Sequence, residues 1–306
     1  MSHFLMTQKD TDTFVALISS FRSLLSLGKF CATTFSFSLV FLSTQAQLLT
    51  TDPKHENYYS ATPIESEELR IQFFDTRSQQ VFSQTKVEVT NKTSDYLLFL
   101  GSETIFQYPF GEVNPSDKNT YKGVNMWILP DKTETRTLKV LEPGKNFHVD
   151  MITFIPHGFY RVSSQGTIQE GPVLALSQES KEIAIGSFSC TLHKWSKEKK
   201  EIKISLQCAY HGQQVGIVAP QHLVCRDQNG HEYANTNQKE KIVLLLPGES
   251  TKIMTVFAIP LHTEDPSGNP LEMVWKNTFS ESKKVPIPLK STRFVFDRAE
   301  TDVHNK

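Results

Sequence analysis

With 306 residues the chain has room for two ordinary domains, each able to bury a core without disulfide or metal staples. Lys plus Arg number 32 against 33 Asp plus Glu, so no overall electrostatic pull toward nucleic acid or an anionic membrane is visible. Aromatic residues make up 10 %, led by 21 Phe, too many large apolar groups for a mostly disordered chain.

Residues 1–46 read as a signal peptide. Arg22 and Lys29 precede the apolar run Phe30 to Leu42, and Ser43-Thr44-Gln45-Ala46 follows, with cleavage expected after Ala46. The run is short of the roughly 20 apolar residues that a membrane span takes. Phe14 to Leu27 is also fairly apolar, so an uncleaved anchor remains an alternative. Cys31 follows Gly28-Lys29-Phe30, a poor acylation context, because a charged and a bulky residue stand where small ones belong. Residues 47–67 are polar, carry two prolines and show no period, which predicts a flexible linker.

From Glu68 the chain is punctuated like an all-β protein. Leu69 to Phe73 alternates apolar and polar, and Val81 to Thr90 ends with Val87 and Val89 on one face. Tyr96 to Leu100 is continuously apolar, which predicts a strand buried on both sides. Gly111 to Gly123 is a long polar excursion and predicts an exposed loop; strands follow at 126–129, 137–141 and 147–155. The order then recurs. Ser187 to Trp195 and Glu201 to Tyr210 flank a polar hairpin tip, and Val215 to Val218 corresponds to Tyr96 to Phe99. Asn229-Gly230 is a two-residue hairpin signal, since both residues tolerate positive φ. Strands at 242–246, 252–259, 271–278 and 293–296 complete the set.

A shared frame suggests duplication. Pro143-Gly144 is followed at Ile155-Pro156 as Pro247-Gly248 is followed at Ile259-Pro260, and each frame encloses a strand-like run. No dozen-residue segment carries a helical stripe. The predicted fold class is therefore all-β: two tandem immunoglobulin-like β-sandwiches at 68–178 and 179–298, with a disordered tail at 299–306. One large barrel is the rival arrangement.

Val87-x-Val89-x-Asn91, Leu97-Leu98-Phe99 and Pro143-Gly144 in the first copy resemble a bacterial immunoglobulin-like domain. So do Asp227 to Tyr233, Leu246-Pro247-Gly248-Glu249-Ser250 and Val256 to Pro260 in the second. The pattern is similar to the telokin-like domain of exported bacterial proteins, and to the domain of a bacterial intracellular proteinase inhibitor. The second copy carries Tyr210 where the first has Asn91, and the first lacks the Asp-x-x-Gly turn. The resemblance implies a sandwich fold and an envelope setting; its motifs are turn and core positions that carry no chemistry.

Cysteine is the best-placed reactive chemistry. A hairpin centred on Lys199 sets Cys190 and Cys208 opposite one another on the inward face. Export permits a disulfide there, Cys225 is a competing partner for Cys208, and buried free thiols are the alternative. His211, His222 and His231 match no zinc spacing, so no metal is expected. Oxygen-rich turns at 227–230 and 265–269 are explained by turn chemistry rather than calcium. Asn91-Lys92-Thr93 is a glycosylation triplet, meaningful only in a eukaryotic secretory route. No nucleophile elbow, catalytic triad pattern or phosphate-binding glycine loop is present, so no catalytic residue, cofactor or small-molecule substrate is expected.

Trp195, beside the charged hairpin tip, and Asn114, Asp117 and Tyr121 of the long loop are the candidate binding surface. The expected function is an exported, non-enzymatic binding or scaffolding protein of the bacterial envelope, periplasmic or at the cell surface, with a protein or glycan partner and no nucleic acid. The alternatives are a periplasmic chaperone-like protein working by strand addition and a secreted proteinase inhibitor.

Overall fold

The computed structural model describes residues 54–116, 118, 123–176, 182–198, 200–237, 239, 241–259 and 271–306. The leader and the 265–269 turn lie outside these residues. In chain order the strands are β1 (Asn57–Ala61), β2 (Ile64–Glu65), β3 (Leu69–Gln79), β4 (Phe82–Asn91), β5 (Tyr96–Leu100), β6 (Ile105–Tyr108), β7 (Gly111–Val113) and β8 (Asn125–Ile128). They continue with β9 (Thr133–Leu141), β10 (Met151–Ile155), β11 (Phe159–Val162), β12 (Thr167–Ile168), β13 (Leu174–Ala175), β14 (Glu182–Ile185), β15 (Phe188–Lys197) and β16 (Glu201–Tyr210). Then come β17 (Val215–Val218), β18 (Val224–Arg226), β19 (Glu232–Ala234), β20 (Val243–Leu245), β21 (Ser250–Ala258), β22 (Glu272–Val274), β23 (Phe279–Ser282), β24 (Lys284–Pro286) and β25 (Thr292–Phe296). One helix, α1 (Arg298–His304), closes the chain.

The fold is an all-β sandwich arrangement with separate apolar centres. A sheet ordered β7-β6-β10-β25-β1-β3-β4-β9, with β2 on β3, faces a second ordered β24-β11-β5-β8. Between them pack Ile71, Val87, Val89, Leu97, Phe99, Ile128, Phe159 and Phe294. The alternation seen in the sequence is the cause, since every second residue of a strand points to one face. Three further sheets, β14-β15-β16-β21, β13-β22-β18-β19 and β12-β23-β17-β20, surround the second centre. Its members include Phe188, Leu206, Tyr210, Val218, Ile253 and Phe279.

Strand β5 is buried along its whole length, as its composition predicts. Leu97 and Phe99 enter the first centre, while Tyr96, Leu98 and Leu100 meet Val215, Ile217 and Leu244 in a third apolar cluster between the two stacks. β17 does the same from the other side, which is why neither strand alternates.

The stacks are also joined by exchange of strands. β11 and β24 pair antiparallel through Tyr160–Pro286 and Val162–Lys284, and β12 and β23 through Thr167–Glu281 and Ile168–Ser280. Residues 159–168 and 279–286 therefore run side by side from one stack into the other. Past this crossing, β13 pairs with β22 in the second stack. β25 returns to the first, inserted between β10 and β1. Each stack is closed by the strands that follow the other.

Several expectations need correction here. The linker reading fails from Asn57 onward, because β1 and β2 are paired strands with Tyr58, Tyr59 and Ile64 buried. The 179–298 boundary fails because β24 and β25 complete the first stack. The tail is not disordered: Asp297 caps α1 by accepting from Glu300 N, and Thr301 Oγ1 accepts from Tyr58 N at 2.9 Å. The Pro-Gly frame also paired the wrong turns. Pro247-Gly248 lies between β20 and β21, and its counterpart between β8 and β9 is Pro130-Asp131. Asp131 and Gly248 both have positive φ, 55° and 83°, the conformation that this turn demands. Pro143-Gly144 lies one connection later, between β9 and β10.

The departure at Tyr210 has a steric partner. Asn91 and Tyr210 hold equivalent places at the ends of β4 and β16, opposite Leu69 and Phe188. Leu97 in β5 is matched by Gly216 in β17, where an added Cβ would lie 2.8 Å from the Tyr210 ring. A small residue facing a large one is thus inverted between the stacks. Gly216→Ala is expected to cost about 1–3 kcal/mol by overpacking, and pairing Gly216→Leu with Tyr210→Asn to recover part of the loss of Gly216→Leu alone. Phe294→Ala should cost about 3–5 kcal/mol as a core truncation, against under about 1 kcal/mol for Val295→Ala on the exposed face of the same strand. Denaturant melts of the variants check both; equal losses at 294 and 295 would show that β25 does not close the core.

Candidate functional site

Cys190 and Cys208 are cross-strand partners in β15 and β16, with Cα atoms 4.2 Å apart, and the structure joins them in a disulfide. Both are fully buried among the side chains of the second centre. Closing a loop of this length stabilises by about 3 kcal/mol in the chain-entropy description. Cys225 is free and buried in β18. Burial, with the nearby Asp227 charge, pushes its thiol up to about 12, so it stays an unreactive thiol at neutral pH.

Asp227 organises the densest polar cluster. Its Oδ1 accepts from the backbone N–H groups of Asn229 and His231, each at 2.9 Å, and Oδ2 accepts from the Tyr233 hydroxyl at 3.0 Å. His231 Nδ1 lies 3.1 Å from Oδ2. Burial alone would raise this carboxyl, but the bonds from His231, Tyr233 and Asn229 outweigh it and hold the group below the usual carboxylate range. With its oxygens engaged by the turn, Asp227 acts as a brace between β18 and β19. Among the described residues no group of three or more His, Cys, Asp or Glu is placed to hold a metal.

The remaining candidates separate. Asn114 follows β7 and donates through Nδ2 to the carbonyls of Ser102 and Thr104, pinning the loop to the 3₁₀ turn Gly101–Glu103. Asn235 is its counterpart after β19, donating to Pro220 O at 3.0 Å on the matching turn Pro220–His222. Asp117 and Tyr121 lie outside the described residues. Trp195, expected to stand free beside the hairpin tip, instead packs half-buried against the second centre, opposite Ile204. Trp275 is buried and donates to Pro172 O, and Trp127 packs at the cluster between the stacks. Of the candidate binding surface, Asn114 and Trp195 thus lie in different stacks. Asn91 of the glycosylation triplet is buried, with Nδ2 donating to Asp95, Ile128 and Leu129 carbonyls and Oδ1 accepting from Thr93. An amide so engaged is unavailable for modification in the folded chain.

One difference between the stacks lies at their outer edges. The outer edge of β21 is covered by its own loop: Asn235 bridges to Phe257 and its Oδ1 accepts from Val256 N. Thr236 N and Asn237 Nδ2 donate to the carbonyls of Val256 and Met254. β9 holds the equivalent outermost place in the first stack. Among the described residues no strand pairs with its outer side. Glu134 and Arg136 share a face with the buried Leu138 and Val140, an inward-pointing charge pattern typical of managed edges. The Asn-x-Asn of residues 235–237 was the available clue to the clamp.

No family description matches the chain, and no curated protein does.

Asp227→Ala is expected to cost about 2–3 kcal/mol, the scale for hydrogen bonds to a buried charge. Because the folded carboxyl is held low, its contribution is complete above the ordinary Asp value near 4 and drains as pH falls through the lower folded value. The stability gap between wild type and Asp227→Asn should therefore narrow on acidification below about pH 4. Denaturant melts at neutral and acid pH read this; a constant gap would remove the charge from the explanation.

Proposed function

We propose that this chain is an exported protein of the bacterial cell envelope that binds or scaffolds a protein or glycan partner without catalysing a reaction. The observation that carries the export half is the Cys190–Cys208 disulfide in the second centre, a linkage suited to an oxidising compartment. The leader pattern ahead of residue 47 agrees with it. Support for binding comes from how the polar side chains are used. Asn91, Asp227 and Asn235 each close on groups of neighbouring turns, leaving loops and sheet edges as the contact surface. The similarity to telokin-like domains of exported proteins points the same way, by analogy of fold alone.

A second reading, a chaperone-like protein that takes up a strand, is favoured by β9. Its nine residues form the outermost strand of the first stack, whereas the corresponding β21 is clamped by its loop. Strand addition at such an edge would draw its affinity from main-chain bonds.

Mass measurement of the chain recovered from the exporting host tests compartment and thiol state together. Alkylation after unfolding without reductant should label one cysteine, Cys225, in a chain lacking residues 1–46, and three after reduction. Four labels before reduction, on a chain that still carries its leader and with it Cys31, would count against export.

A further inference from the structure

The first half of β9, Thr133-Glu134-Thr135-Arg136-Thr137, runs from acid to base about a central threonine. Pairing with β4 sets Glu134 opposite Val89 and Arg136 opposite Val87, both core residues, so the two charges lie on the inward face of the sheet. Packing does not ask for them there. The equivalent places in β21, opposite Cys208 and Leu206, are held by Thr251 and Ile253. Among the described residues no ion pair engages Glu134 or Arg136. The Nε of Arg136 is buried without a hydrogen-bond partner, an uncommon state for a polar atom out of water. Thr133, Glu134 and Thr137 are exposed, so the outer side of the strand can be reached.

We infer that β9 pairs with β9 of a second copy of this chain, antiparallel about a two-fold axis at Thr135. In this register Glu134 stands opposite Arg136 of the second copy, and Arg136 opposite its Glu134. Thr133 meets Thr137, and Thr135 its own counterpart, on the outward face. Directly opposed residues share a face with Cβ atoms about 5 Å apart, within reach of a guanidinium–carboxylate pair. Each Glu134 thus supplies the acceptor that Arg136 lacks in its own chain. Inward-pointing charges at a sheet edge ordinarily keep other strands away. Opposite charges two residues apart instead admit one register, because a slip that centres the pairing on Glu134 or on Arg136 sets like charges face to face. Glu88, outward on β4 beside Thr135, stays three strand spacings, about 14 Å, from its own copy, beyond the screening length at physiological salt. Five residues pair and the turn at 129–132 stops the ladder, so the association is weak and depends on concentration. β21 cannot do the same, since Asn235 and Asn237 cover its edge. The inference rests on the open β9 edge of the strand-uptake reading and names a second copy as the strand.

Sedimentation equilibrium of the chain recovered from the exporting host tests it. The expected result is a weight-average mass that rises from one chain toward two between about 1 and 100 µM. Glu134→Arg alone and Arg136→Glu alone should each weaken association at least about tenfold, because every copy then brings like charges together. An equimolar mixture of the two single variants should recover it, as should the double variant Glu134→Arg with Arg136→Glu, since both restore opposite pairs. Such recovery also shows that the substituted chains fold. Single variants that associate as wild type does, or a loss that neither swap recovers, would overturn the pairing. Wild type that stays a monomer to the top of the range would overturn it too, and leave β9 open to a foreign strand. Amide exchange identifies failure of both readings, because alternate amides of a free edge strand exchange fast. Slowing throughout residues 133–137 only at the high end of the range supports self-pairing. Equal slowing at the low end would show the edge already covered within the chain.

Discussion

The structure depends on a two-stranded crossing. Residues 159–168 and 279–286 lie antiparallel and pass together from one stack to the other, so that each stack receives its closing strands from the chain of its neighbour. Without β25 the first stack would lose Phe294 from its centre and leave β10 and β1 with unpaired edges. Without β12 and β13 the second would lose Leu174 from its centre and the partners of β23 and β22. Burial and backbone pairing act on the same segments, and an unpaired buried backbone group costs as much as a lost contact. The cluster of Tyr96, Leu98, Val215 and Ile217 then fills the space beside the crossing. Folding of either stack is thus coupled to the presence of the other.

Around this frame the polar residues serve as braces. Asn91 and Tyr210 solve one problem by different means, both tying the end of a long strand to the loop that follows. Asn91 does so with an amide reaching three carbonyls, and Tyr210 with a hydroxyl that accepts from Gln214 N and donates to Glu281. The larger side chain needs room, which Gly216 provides where the first stack has Leu97. Asp227 braces its hairpin with a charge that burial alone would disfavour. These are strand-end and turn positions whose bonds close within the fold, and for that reason they say little about activity.

Function has to be sought where the stacks differ from one another. The clamped edge of β21 and the outermost β9 are one such difference. The hairpin tip at Val81 is another: the second stack has a lysine- and glutamate-rich tip there, with Lys203 bound between Glu198 and Glu201. Divergence between equivalent positions of a repeated arrangement marks places that packing alone does not fix.

By itself the sequence determined the strands and their faces. Alternation at Leu69 to Phe73, continuous apolarity at Tyr96 to Leu100 and the opposition of Cys190 with Cys208 all appear as read, because period and hairpin register are local properties. It could not determine which strands would be neighbours. β25 looks no different in composition whether it pairs with β22 or, as it does, with β10 and β1; that choice is made by contacts between residues far apart in the chain, such as Met151 with Val295 and Tyr59 with Phe296. For the same reason the lead at 57–65 looked like a linker until a partner was supplied, and Trp195 looked exposed until the second centre was built. Tertiary structure decided these, since short polar-flanked segments gain order only from the long-range surface that they cover.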